Sequence, residues 1–113
     1  MRQFFCFLFA IIVSVELWAQ PIIKATQLDD MPIPMANNAV VAAKVNGRDY
    51  VYSFGGIGTG LTYGNISQQS FRYDVVDDTW DTLPPLPDTL GKIASAASYV
   101  NGKIYVIGGY HVF

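Results

Sequence analysis

A strand that ends in paired glycines occurs twice in this chain, and this repeat is the feature that most limits how the chain can fold. The first copy, DYVYSFGG, ends at Gly55-Gly56, and the second, KIYVIGGY, contains Gly108-Gly109. Each copy follows an Asn-Gly pair, which readily adopts the positive φ angles of tight hairpin turns. Self-similarity at a period of about fifty residues predicts a repeat architecture whose units stack on one another.

Short strands between turn signals are predicted throughout, because glycine, aromatic and β-branched residues are common and no long helical periodicity occurs. The first unit contains four candidate strands: Asn37–Val45, Asp49–Phe54, Ser70–Val75 and Thr79–Leu83. Alternation in the third strand puts Phe71 and Tyr73 on one side and predicts that Asp74 faces solvent. The prolines of PPLP, which begins at Pro84, end the fourth strand because proline has no amide hydrogen to donate.

The second unit, from Ala94 to Tyr110, repeats the small-residue strand, the hairpin and the strand that ends in glycines. Its Asn101 lies 55 positions after Asn46, whereas the glycine pairs are 53 positions apart. The difference predicts a two-residue insertion in the first hairpin, between its Asn-Gly and its apolar strand.

The amino-terminal residues 1–19 are predicted to form a secretory signal peptide, and residues 20–34 an extended lead-in. A basic start precedes FFCFLFAIIVSVELW, an apolar run that is short for a membrane span, and a plausible cleavage site follows at Ala19. A retained membrane anchor is the alternative. Cleavage would make the protein secreted or periplasmic.

Cysteine content and charge exclude several classes of function. Residues 20–113 contain no cysteine, so the sequence predicts neither a disulfide framework nor a thiolate metal site. The formal net charge is −2 and the basic residues are scattered, which argues against nucleic-acid binding. No cofactor is predicted.

The paired glycines, together with Tyr73 and Trp80, resemble the kelch repeat. This resemblance implies an all-β fold, with a four-stranded antiparallel propeller blade over residues 35–87 and the first half of a second blade over residues 88–113. A closed propeller needs at least about four blades, so the resemblance implies an incomplete propeller. The chain is then a fragment of a longer propeller whose other blades are its missing partners, the product of a truncated reading frame, or one subunit of a multi-copy ring.

Two other motifs have simpler explanations. The glycine-rich loop after Gly56 lacks the third glycine of a dinucleotide-binding turn and the Gly-Lys-Ser/Thr ending of a phosphate loop. The acidic residues Asp74, Asp77, Asp78 and Asp81 lack the spacing of a calcium loop, and they suit a strand surface and a tight turn. The glycine pairs are therefore interpreted as architecture, with a role in close backbone approach and positive φ.

Loop residues are the candidates for binding, because loops on a rigid scaffold carry recognition. The candidates are Tyr63, Asn65, Tyr110 and His111, of which the first two lie in the polar loop Thr59–Gln69. Asn65 also begins Asn65-Ile66-Ser67, which fits a glycosylation acceptor. His111 is the only histidine, and it is either a ligand or proton shuttle, or an ordinary loop residue.

Kelch proteins mostly bind partners, so the resemblance implies an exported binding or scaffold module that recognises a protein or a glycan through propeller-face loops. The alternative is part of a sugar-active enzyme. A sialic-acid mutarotase needs no metal and stays open. A copper sugar oxidase fits less well, because it needs a cysteine-linked tyrosine and residues 20–113 contain no cysteine.

Overall fold

The computed structural model of the protein describes residues 21–113, which form six β-strands and one 3₁₀ turn, so the all-β prediction is confirmed. The predicted signal peptide, residues 1–19, lies outside the described residues. Within residues 21–113, no helix has the length and hydropathy needed to cross a membrane. The strands are β1 (Ala39–Val45), β2 (Arg48–Phe54), β3 (Ser70–Asp74), β4 (Thr79–Leu83), β5 (Ile93–Val100) and β6 (Lys103–Tyr110).

The strands form a four-stranded antiparallel sheet in the order β1-β2-β3-β4 and a two-stranded antiparallel sheet of β5 and β6. Both Asn-Gly pairs form two-residue turns, since Val45 pairs with Arg48 and Val100 pairs with Lys103. The φ angles are 50° and 77° in the first turn and 49° and 76° in the second. Positive φ at both positions gives the twist that suits a two-residue hairpin.

The spacing of matched positions on either side of the turn is two residues longer in the first hairpin than in the second. Asn37, two residues before β1, and Ala94, the second residue of β5, both have a φ of 57°. They are 57 positions apart, against 55 for the turns and 53 for the glycine pairs. The prediction of a single two-residue insertion after the turn is therefore incomplete. The first hairpin has two more residues on each side of its turn, because an unchanged turn requires both sides to lengthen equally if the register is kept.

The core of the first sheet lies on β3 and on the inner strand β1. Phe71 and Tyr73 are only 2% and 4% exposed, and Ala39 and Ala43 are buried as well. The prediction that Asp74 faces solvent is wrong, because this residue is 8% exposed. Its Oδ1 accepts hydrogen bonds from the backbone amides of Val76 and Asp77, and its Oδ2 lies 2.7 Å from Arg48 Nη2. These contacts satisfy a carboxylate whose burial would otherwise be costly.

The first glycine pair joins the two sheets. The Gly56 amide donates to the Lys92 carbonyl at 2.8 Å, directly before β5. A Cβ at Gly55 would lie 2.7 Å from the same Lys92 oxygen, and a Cβ at Gly56 would lie 2.8 Å from the Ala36 oxygen. Only glycine leaves room for such close backbone approach at the observed φ of 61° and 103°.

The lead-in docks on the outer strand β4. Trp80 Nε1 donates to the Asp29 carbonyl at 2.9 Å, and the Asp29 amide donates to Asp78 Oδ1 at 2.8 Å. Tyr73 lies directly opposite Trp80, with ring centroids 5.1 Å apart, and its hydroxyl donates to Asp78 Oδ1. The hydrogen bond to Asp78, together with desolvation, raises the pKa of Tyr73 to about 12. Tyr73 therefore remains a hydroxyl donor at physiological pH.

We expect the stability of the first sheet to fall in acid because of Asp74. Burial opposes ionisation of this carboxyl, but hydrogen bonds from Arg48 and from the backbone amides of Asp77 and Val76 outweigh it, so its pKa lies below the ordinary 3.8. A depressed folded-state pKa adds stability above the ordinary value, and that stability is lost as the pH falls below it. Asp74→Asn should lower the free energy of unfolding at pH 7, and the free energy of unfolding of this variant should decrease less between pH 7 and pH 2 than that of the parent. Urea unfolding from pH 2 to pH 7 measures both effects.

Asp30→Asn is the matched control, because Asp30 lies exposed in the lead-in. This variant should keep the parent profile. An Asp74→Asn variant whose profile matches the parent at every pH would contradict the role given to this carboxyl.

Candidate binding groove

The long loop between β2 and β3 is held in a defined shape by backbone hydrogen bonds. Ile57 and Ala36 exchange two hydrogen bonds of 2.9 and 2.8 Å, and the Gly58 amide donates to the Asn65 carbonyl at 2.9 Å. A 3₁₀ turn at Tyr63–Asn65 reverses the chain, after which the Ser67 amide donates to the Gly56 carbonyl at 2.8 Å. The loop is therefore a folded element fastened at both ends to the glycine pair.

Asn65 stabilises this loop from within. Its Oδ1 accepts a hydrogen bond from the Thr62 hydroxyl at 2.6 Å and a longer one from the Thr62 amide at 3.4 Å. Gly60 has a φ of 100°, and a Cβ there would lie 3.0 Å from Asn65 Oδ1. The carbonyl end of the Asn65 amide is therefore occupied by the loop, whereas its Nδ2 makes no hydrogen bond within residues 21–113.

A groove of about 520 Å³ lies beside this loop. Three segments that are far apart in sequence line it: the lead-in, the β2–β3 loop and the proline-rich connector after β4. Its lining residues are Ile33, Met35, Gly58, Thr59, Gly64, Asn65, Ile66, Ser67, Gln68, Gln69 and Pro85. Hydroxyl, amide and apolar groups make up this lining, and none of its side chains carries a charge. The groove therefore suits an uncharged partner surface that offers hydrogen-bonding groups.

The connector is fixed against the loop. The Leu86 amide donates to the Gln68 carbonyl at 2.8 Å, and the Gln68 side-chain amide donates to the Asp88 carbonyl. A Cβ at Gly91 would lie 2.5 Å from the Ser67 carbonyl carbon and oxygen, so the two backbones touch at this point. The groove walls are thus tied together by backbone contacts.

The four predicted binding residues lie at different places. Asn65 lines the groove, while Tyr63, two residues earlier on the 3₁₀ turn, is 65% exposed. Tyr110 is the last residue of β6 and His111 follows it, and neither is among the lining residues. His111 Nδ1 lies 3.0 Å from the Gly91 carbonyl, and because a carbonyl only accepts, this nitrogen carries the proton.

Sequence reasoning missed the contribution of Ile33, Met35 and Pro85 to the groove. One signal was present. Pro32-Ile33-Pro34 and Pro85-Leu86-Pro87 have the same Pro-apolar-Pro pattern ahead of the first strand of each unit. Equivalent connectors in a stacked repeat run over the same face of the structure. The segment Pro32-Ile33-Pro34 could therefore have been assigned to the same face as Pro85-Leu86-Pro87.

Metal-ligating side chains are not grouped in the described part of the chain, where no three His, Cys, Asp or Glu residues could hold one ion. Several acidic residues form ion pairs instead. Asp81 lies 2.6 Å from Arg72, and Asp88 lies 2.8 Å from Lys92. Arg72 also stacks over the Tyr50 ring at 4.6 Å.

A four-stranded antiparallel sheet, followed in the same chain order by the first hairpin of a second sheet packed beside β1, defines one blade and part of the next in a β-propeller. The first glycine pair lies at the joint between the two sheets, and Tyr73 and Trp80 lie on β3 and β4 of this blade.

Known proteins with similar sequences agree with this class. The chain is 31% identical to Kelch-like protein 15 of Danio rerio over 83 residues, which is 74% of this chain and 12% of the relative. It is 29% identical to beta-scruin of Limulus polyphemus over 102 residues, 88% of this chain and 10% of the relative. It is 34% identical to the N-acetylneuraminate epimerase of Pasteurella multocida over 73 residues, 64% of this chain and 19% of the relative.

All three relatives are kelch-repeat proteins, and the chain belongs to this family. No protein-family model matches it. The chain spans between a tenth and a fifth of the length of these relatives.

Proposed function

We propose that the chain is part of an exported kelch-repeat recognition module that binds an uncharged segment of a protein or glycan partner in the groove beside the β2–β3 loop. The groove itself is the observation that carries this proposal. Its lining offers hydroxyl and amide groups without charge, and its walls are fixed by backbone hydrogen bonds before any partner arrives. A preformed site loses less conformational entropy on binding than a flexible loop does.

Three groups supply the specificity in this proposal. Gln69 and Thr59 are exposed lining residues. The Asn65 oxygen accepts a hydrogen bond from Thr62, so in this proposal the Asn65 Nδ2 donates to the partner. The Ile33 and Met35 side chains give the groove an apolar wall. A mixed surface of this kind suits the two faces of a sugar ring or the backbone and side chains of an extended peptide. Export is supported by the amino-terminal sequence, residues 1–19.

The test screens the purified chain against an array of neutral and sialylated glycans and against a displayed peptide library, and then follows the best ligand by amide chemical shifts. We expect the shifts to concentrate in Thr59–Gln69. Gln69→Ala should weaken binding by roughly three- to ten-fold, which corresponds to the loss of one hydrogen bond of about 1 kcal/mol. Gln27→Ala is the control, because Gln27 lies exposed in the lead-in outside the groove. A ligand that shifts only other regions, or the lack of any ligand in both screens, would contradict the proposal.

A second candidate function is supported by the similarity to the N-acetylneuraminate epimerase of Pasteurella multocida, at 34% identity over 73 residues. Under this hypothesis the chain would be part of a kelch-type sialic-acid mutarotase. The lining of the groove favours the first candidate, because sialic acids are anionic and a carboxylate is best held by a cation. Following anomer exchange of N-acetylneuraminic acid by NMR tests the second candidate, and exchange at the uncatalysed rate would count against it.

A further inference from the structure

Leu61, in the β2–β3 loop, combines two unfavourable features. Its φ is 53°, in the left-handed region where a residue with a side chain is strained, and the residue is 68% exposed to water. It ends a turn in which its amide donates to the Gly58 carbonyl at 3.3 Å. Strained backbone of this kind clusters at ligand sites. The fold itself therefore gains little from a leucine at this position.

An apolar pocket of about 180 Å³ lies at this residue. The lead-in and the first half of the loop form its two walls, with the side chains of Pro34, Met35, Ala36, Ile57, Thr59 and Leu61. Among these described residues, Thr59 alone has a polar side chain. The walls are fixed to each other, because Ala36 and Ile57 exchange two backbone hydrogen bonds.

The pocket is continuous with the groove. Met35, Gly58 and Thr59 line both of them, so the two spaces share one wall. The groove supplies hydrogen-bonding groups and the pocket supplies apolar surface, and neither lining includes a charged side chain from residues 21–113. A charge placed in either space would lose water without gaining a partner. A ligand that fills both must therefore carry an apolar group directly beside uncharged polar groups.

We propose that the pocket binds a branched aliphatic side chain, and that the partner is an extended peptide segment with a leucine or isoleucine beside uncharged polar residues. The inference rests on the proposed function, in which the groove binds the same partner. Residues of an extended chain are about 3.3 Å apart and successive side chains point to opposite sides. A peptide that crosses the shared wall therefore places its aliphatic side chain in the pocket and a nearby amide or hydroxyl group in the groove.

Volume and polarity favour a peptide over a sugar in the pocket. An apolar cavity of about 150 Å³ holds a benzene molecule, so a pocket of about 180 Å³ has room for a leucine or isoleucine side chain. The methyl group of an N-acetylated sugar would leave most of this space empty. Sugar hydroxyls would lose their hydrogen bonds to water there, and Thr59 is the one lining side chain that could replace them.

Leu61 forms the exposed rim of the pocket in this proposal. An aliphatic side chain that covers it removes apolar surface from water, and this gain is realised only when the partner binds. Asparagine and glycine are accommodated more easily than leucine at positive φ. A role in binding therefore accounts for a leucine at this position.

The test screens the purified chain against a displayed library of random heptapeptides, and synthetic versions of the selected peptides are then measured by fluorescence anisotropy. We expect the selected peptides to carry leucine, isoleucine or valine beside uncharged polar residues. Replacing that aliphatic residue with alanine should weaken binding by roughly ten- to thirty-fold, because its side chain no longer fills the pocket. Selected peptides without an aliphatic residue, or ligands that are glycans alone, would overturn the inference.

Leu61→Asn tests whether the pocket is where that side chain binds. This variant should bind the parent peptide roughly three- to ten-fold more weakly, and it should bind the alanine peptide as the parent chain does, because both changes remove the same contact. Its urea midpoint should equal or exceed that of the parent chain, since asparagine tolerates positive φ. Leu28→Asn is the matched control and should leave binding unchanged, because Leu28 is 55% exposed in the lead-in and lines neither space.

The outcomes separate this inference from the proposed function. Additive losses for Leu61→Asn and the alanine peptide, or a lower urea midpoint for the variant, would overturn the role given to Leu61. Peptides that lose affinity with Gln69→Ala but not with Leu61→Asn would overturn the pocket and leave the proposed function standing. The absence of any ligand would overturn both.

Discussion

Replacing Gly55 with alanine is expected to destabilise the fold by about 3 kcal/mol, the sum of a left-handed backbone cost and an overpacking cost. The φ at Gly55 is 61°, and the added Cβ would lie 2.7 Å from the Lys92 carbonyl oxygen. That oxygen accepts the hydrogen bond from Gly56 that joins the two sheets. The Lys92 carbonyl would have to move away to make room for the new Cβ, and this movement would weaken that hydrogen bond. Urea unfolding followed by circular dichroism measures the loss.

Two matched controls separate the steric cost from the backbone cost. Gly108 is the equivalent residue in the second unit, with a φ of 74°, and Gly47 lies in the turn of the first sheet, with a φ of 77°. A Cβ would meet nothing within 4 Å at either position. Each alanine variant should therefore lose only about 1 kcal/mol. Equal losses at all three glycines would show that the approach of Lys92 to Gly55 contributes nothing.

Replacing Phe71 with alanine should have a similar or larger effect, about 3 to 5 kcal/mol. Phe71 is the largest fully buried side chain of the described residues, at 2% exposure, and it pairs across the ladder with the buried Ser53. Removing its ring loses apolar burial and leaves a cavity. Because β3 is hydrogen-bonded to β2 on one side and β4 on the other, the backbone cannot move in to fill this cavity. The loss is a large share of the stability of an ordinary small domain.

The control for this prediction is Val76→Ala, since Val76 lies in the β3–β4 turn and is 69% exposed. This variant should change the free energy of unfolding by less than about 0.5 kcal/mol. Phe71→Leu should cost less than Phe71→Ala because it leaves a smaller cavity. A loss below about 1 kcal/mol for Phe71→Ala would contradict the view that β3 forms the core of this sheet.

Local sequence signals predicted the strands and hairpins because those elements depend on nearby residues. The Asn-Gly pairs fix both turns, the alternation in β3 fixes the side that buries Phe71 and Tyr73, and PPLP ends β4. Asp74 was mispredicted because its environment depends on the β2–β3 register. That register brings Arg48 to its carboxylate, and one strand alone does not contain this information.

The groove could be predicted only in part. The polar loop Thr59–Gln69 was recognised from composition, and the loop does form one wall. The lead-in has no periodicity that indicates where it docks, and its position depends on the Trp80 and Asp78 hydrogen bonds to Asp29. These bonds join residues about fifty positions apart, so sequence-local reasoning did not find the second wall.

Residue-resolved hydrogen exchange of the chain alone tests the central claim most directly, namely that a complete four-stranded blade precedes an open first half of a second one. On β2, which lies between β1 and β3, we predict slow exchange at every amide from Tyr50 to Phe54. On β6 we predict alternation, with slow exchange at Lys103, Tyr105 and Ile107 and fast exchange at Ile104, Val106 and Gly108. Alternating protection on β2, or uniform protection along β6, would contradict this architecture.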